Sequence, residues 1–149
     1  CTFITGCALF CVPEVLMSDN KIFTELYFHG EEDFDFSLRM KKMGIQMGCV
    51  TSSYIFHKVG RTSSNIGNEI GLTYCYYLNR FINLRHHLNV ISFYSFIIIY
   101  FPYVVRLLMT KGLKFTESVC FYWKVIRESF LLDGVSYSTF IKCLKKETV

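Results

Sequence analysis

Gly30-Glu31-Glu32-Asp33-Phe34-Asp35-Phe36-Ser37-Leu38-Arg39-Met40-Lys41-Lys42-Met43-Gly44 is the stretch on which the reading of the fold turns. Phe36, Met40 and Met43 recur at i, i+4 and i+7, and Phe34 and Leu38 widen the apolar stripe, so the spacing predicts a helix. Acids crowd its first turn, and Arg39, Lys41 and Lys42 crowd its last. That order complements the helix dipole, and Gly44 supplies the stop. Three consecutive carboxylates repel one another, so their stacking at a helix start suggests either simple capping or a chemical role such as a general base. Asp33 and Asp35 also spell a DxD, but two residues on a helix are about 200° apart and cannot share a ligand. Asp35 is expected to pair with Arg39 at i+4. Glu32 and Asp33 are left as the chemical candidates.

Outward from this helix, the pattern predicts strands. Residues 1–12 are apolar and β-leaning, with Gly6 as a point of kink or close approach. Pro13 opens a short helix over about 13–17. Ile45, Met47 and Cys49 alternate as in a strand, and residues 54–57 form a second short extended run that ends in His57. A lone His is commonly structural, but at a strand end beside a basic loop His57 also suits a metal or a diphosphate. A Gly-, Ser- and Asn-rich loop covers about 58–71.

From Leu72 the character changes. Residues 72–87 read as a helix, with Tyr76, Tyr77, Arg80, Asn83, Leu84 and His87 recurring at three and four. Residues 88–105 carry no charge at all, close to the roughly 20 apolar residues of a membrane-spanning helix. Basic residues flank that run on both sides, which favours a helix lying in the membrane plane over one that crosses it; a buried core helix covered by residues 115–132 is the third reading. Residues 115–132 form a further aromatic helix.

The chain has 149 residues, of which 52% are hydrophobic, 17% aromatic and only 19% charged. Average soluble domains run about 45–50% apolar and about 25% charged, so disorder and coiled coil are excluded and membrane contact is suggested. The net charge of +4 is uneven: residues 1–60 hold five Lys and Arg against seven Asp and Glu, and residues 61–149 hold eleven against five. No nucleic-acid module motif is present, so a nucleic-acid partner is not expected. The seven cysteines make no CxxC pair and read as buried free thiols. The start, Cys1-Thr2-Phe3-Ile4, has no Met and fits a piece of a longer protein.

Taken in order, Gly6-Cys7-Ala8-Leu9-Phe10 with Pro13-Glu14, Ile22 to Phe28, Glu32-Asp33-Phe34-Asp35 with Arg39 and Gly44, and His57-Lys58-Val59-Gly60 resemble the C-terminal half of a family 2 glycosyltransferase of the GT-A fold. Tyr77 to Leu84 looks like the helix that follows the catalytic domain in bacterial polysaccharide members. The resemblance implies an α/β fold, with part of a Rossmann-like GT-A catalytic domain over 1–71 and membrane-associating amphipathic or hydrophobic helices over 72–149. It implies an enzyme, a metal-dependent inverting transferase. A nucleotide-diphosphate-sugar donor, a glycan or lipid-linked acceptor and a divalent cation, Mg²⁺ or Mn²⁺, follow from it. Asp33 would be the base, assisted by Glu32. Gly6 and Cys7, with the extra acid Glu31, would lie on the substrate side, and His57 near the metal. Because the family's N-terminal half is not in this sequence, the isolated fragment is expected to be inactive. The implied location is the cytoplasmic face of the cell membrane, peripheral, monotopic or single-span. The rival reading is a catalytically inert, membrane-associated binding or scaffold module, in which the acids only cap a helix. A metal-dependent hydrolase using Glu32, Asp33 and His57 is a third.

Overall fold

The computed structural model describes residues 3–4, 9–13, 22–56 and 68–145. Among these the chain is helical: α1 (Glu32–Lys42), α2 (Glu69–His87), α3 (Val90–Thr110), α4 (Phe115–Leu131) and α5 (Tyr137–Leu144). No strand occurs among the described residues. Tyr27 and Val135 form one isolated parallel bridge, with Phe28 N–H donating to Val135 O at 2.9 Å and Val135 N–H to Leu26 O at 2.7 Å.

The α/β, GT-A expectation is therefore corrected to an all-helical fold over the described residues. The physical reason is clear at residues 45–56. A strand requires a backbone ladder to a neighbouring segment, and no ladder runs along Ile45, Met47 and Cys49 among the described residues. Most of this stretch is exposed, with only Ile45 and Met47 half-buried. Residues 3–4 and 9–12 are also without strand pairing. Gly6, Cys7, His57, most of the 13–17 helix and most of the 58–71 loop lie outside the described residues.

The expected helices take clear form. The end of α1 is a Schellman turn: Gly44 has φ +71°, Ile45 N–H donates to Met40 O at 2.9 Å, and Gly44 N–H to Lys41 O at 3.2 Å. α2 begins at Glu69, three residues before the expected start, because Asn68 caps it by accepting from Gly71 N–H at 3.0 Å. α3 continues beyond the uncharged run, through Pro102, to Thr110. α5 was not expected. Ser136 caps it by accepting from Thr139 N–H.

α2 is the central helix. It packs against α3, α4 and α5, and its Tyr74, Leu78, Phe81 and Ile82 are completely buried. Phe121, Tyr122 and Val125 of α4, and Val104 and Leu108 of α3, close the core around it. Phe81 meets Tyr122 edge-on at 5.8 Å, and the Tyr122 hydroxyl donates to Ile97 O. Cys75 and Cys143 are buried, but Cys49 and Cys120 are exposed, so burial does not describe the cysteines as a group.

Gly71 is required by the α2–α5 junction. A Cβ there would lie 2.3 Å from the backbone oxygen of Cys143. In an ordinary helix interior Gly→Ala gains about 1 kcal/mol. Here the clash with backbone reverses the sign, and Gly71→Ala is expected to lose about 1–3 kcal/mol. Denaturant unfolding measures this, and a stabilised variant would show that α5 does not seat as described.

Candidate functional site

The three acids that open α1 have different surroundings. Glu31 is the most buried, although it precedes the helix. Its φ is +75°, directly after Gly30 at +80°. A left-handed conformation is unfavourable for a residue with a Cβ and persists only where its surroundings hold it. The Glu31 carboxylate is held in two ways. Arg80 Nε and Nη2 of α2 each lie 2.7 Å from Oε1, and Asn83 Nδ2 lies 3.2 Å from Oε2. Burial raises the Glu31 pKa above its ordinary value, and Arg80 and Asn83 pull it partly back. Arg80 is fixed in turn by the rings of Phe34 at 4.8 Å and Tyr76 at 5.4 Å, and it donates to the Tyr76 hydroxyl at 3.0 Å.

Asp35 lies one turn further along α1 and is also buried. It accepts from Arg39 Nε at 2.8 Å, as its i+4 spacing predicts, and its other oxygen is 2.8 Å from His87 Nε2. Glu31 and Asp35 thus face Arg80, Asn83 and His87 across the α1–α2 junction. Asn79 adds to the seam by donating to His29 O at 2.8 Å. Asp33 and Glu32 are both half-buried on the first turn of α1. The Asp33 carbonyl accepts from the Ser37 hydroxyl at 2.8 Å.

Among the described residues no three His, Cys, Asp or Glu side chains come together in a way that could hold a metal ion. No family model, curated protein or solved structure matches this chain. The glycosyltransferase reading requires a Rossmann-like sheet, and the described residues form helices instead. That finding overturns the family assignment, and with it the sugar-transfer function, the enzyme reading and the metal-dependent chemistry. The acids of the motif that suggested it are in part helix-pairing residues.

Two other features stand out. The first is α3, a helix long and apolar enough to cross a membrane by length and composition. Only 22% of its most apolar window is buried within the chain. Ile91, Tyr94, Ile98 and Pro102 follow one another at three and four along its exposed side, with Ile99 and Tyr103 beside them. Trp123 of α4 extends this face, tilted against Phe101 at 6.3 Å. The second feature is a groove of about 830 Å³ between α2 and α3. Tyr76 and Tyr77 wall one side and Tyr100 and Tyr103 the other, with His29 and Gly30 also in the lining and Lys111 at the C-terminal end of α3. Burial raises the Tyr76 and Tyr77 pKa values, so both hydroxyls stay neutral. Sequence reasoning missed the groove, although the tyrosine spacing in both helices was its signal.

Proposed function

We propose that this chain is a helical binding module that docks on a membrane surface, with α3 lying in the plane of the interface. The observation that carries this reading is the exposed apolar side of α3. Large contiguous apolar surface on a folded chain marks an interaction site, and a lipid surface fits one rimmed by basic residues. Arg106, Lys114 and Arg127 are exposed around it, and each cation near an anionic surface adds about 1 kcal/mol of attraction.

The neighbouring helix supports the in-plane orientation. The 21 residues of α3 span about 31 Å, enough to cross the hydrocarbon layer. α4 runs antiparallel beside it, with Phe130 against Phe93 and Tyr122 against Phe101. A crossing α3 would therefore carry Lys124 and Arg127 to mid-membrane depth. Such charges cost about 2.5–3.5 kcal/mol each at a helix centre. In the interface plane they keep their water.

Trp123 is the one tryptophan and is half exposed, so its fluorescence reports depth. In anionic vesicles its emission is expected to shift to the blue. Bromines placed about 5–10 Å below the headgroups should quench it best. Strongest quenching by bromines at the chain ends would mean a crossing helix. No quenching, with no flotation of the protein with vesicles, would overturn membrane docking itself.

A further inference from the structure

We infer that the tyrosine-walled groove between α2 and α3 is a binding site for a single anionic lipid, with the acyl chain in the groove and the phosphate at Lys111. This rests on the membrane-docking reading. Three observations support it. The groove is lined mainly by apolar side-chain surface, and its roughly 830 Å³ lies within the range of small-molecule sites. Its α3 wall includes Ile99 and Tyr103, which also belong to the exposed apolar side of that helix, so the mouth opens onto the surface assigned to the bilayer. A chain can then slide in sideways without crossing water.

Charge selects the headgroup. Lys111 pairs with Glu69 at 3.2 Å, but the Glu69 side chain is 79% exposed. An exposed pair of this kind contributes little, so Lys111 can exchange the carboxylate for a phosphate at small cost. At the other end, His29 and Gly30 are held in place by Asn79, whose amide is completely buried and donates to His29 O. That bond ties the His29 backbone in the groove wall to the core of α2.

The test uses lysophosphatidylglycerol below its micelle concentration, so that binding does not depend on docking to a bilayer. Isothermal titration should give one site per chain, with lysophosphatidylcholine weaker. Ile99→Trp fills the mouth from an exposed position and should weaken binding about tenfold or more, and Lys111→Glu by a comparable factor. Val50→Trp, at an exposed residue outside both the groove lining and α3, should bind as the parent does. Equal loss in the Val50 and Ile99 variants, or uptake without saturation at one per chain, would overturn the site. Vesicle flotation of the same variants tests docking separately: flotation without one-to-one lipid binding rejects the groove alone, and one-to-one binding without flotation rejects the docking reading alone.

Discussion

Replacing Arg80 with methionine is expected to destabilise the fold by about 3–5 kcal/mol, the usual cost of removing one partner from a buried ion pair. The Glu31 side chain is only 2% exposed and that of Arg80 19%. Without the guanidinium, Glu31 keeps only Asn83 and must hold its strained backbone with a charge that is poorly compensated. The loss should depend on pH. The Glu31 pKa already lies above the ordinary value near 4.5, with Arg80 acting to lower it. In the variant it rises further. A carboxyl raised on folding favours the folded state below its unfolded pKa, and that contribution is lost as the pH climbs through the folded value. The variant should therefore be weakest near neutrality and recover as Glu31 takes up a proton. Urea unfolding at neutral and acidic pH measures both effects. The double variant Glu31→Met, Arg80→Met should regain much of the stability, because no buried charge then remains. A single variant within about 0.5 kcal/mol of the parent would show the pair to be no more than a surface contact.

The second large effect concerns docking. Ile98→Asp should reduce partitioning into anionic vesicles about 100-fold, since aspartate replaces one of the most favourable residues for the membrane with one of the least. Ile98 is 73% exposed, so unfolding should change by no more than about 0.5 kcal/mol. That contrast is the point of the experiment: partitioning falls while the fold stands. A variant that binds vesicles as the parent does would remove α3 from the membrane contact.

Helices with a strong local signal were legible in the sequence. The dipole-ordered charges and Gly44 mark α1, and the spacing of three and four in Tyr76, Arg80, Asn83 and His87 marks α2. Strands were not legible, because alternation such as Ile45-Met47-Cys49 says nothing about whether a backbone ladder forms. The family resemblance failed for a related reason. Its core is a block of acids followed by arginine, and a helix that must dock on a basic neighbour uses that same pattern. Glu31 and Asp35 are four apart, while Arg80, Asn83 and His87 recur at three and four. These complementary stripes were present in the sequence, but 49 residues separate Glu31 from Arg80, and nothing local shows that the two meet. The groove was hidden similarly, since neither tyrosine-bearing helix forms it alone.

Asn68 links two parts of the chain that are 76 residues apart. Its Oδ1 accepts from Gly71 N–H at the start of α2, and its Nδ2 donates to Leu144 O at the end of α5 at 2.8 Å. Helix ends normally fray independently, because each has its own unsatisfied groups. Here a single amide serves both. Opening either end removes a partner from the other, so the first turn of α2 and the last turn of α5 are expected to exchange their amide protons as one cooperative unit.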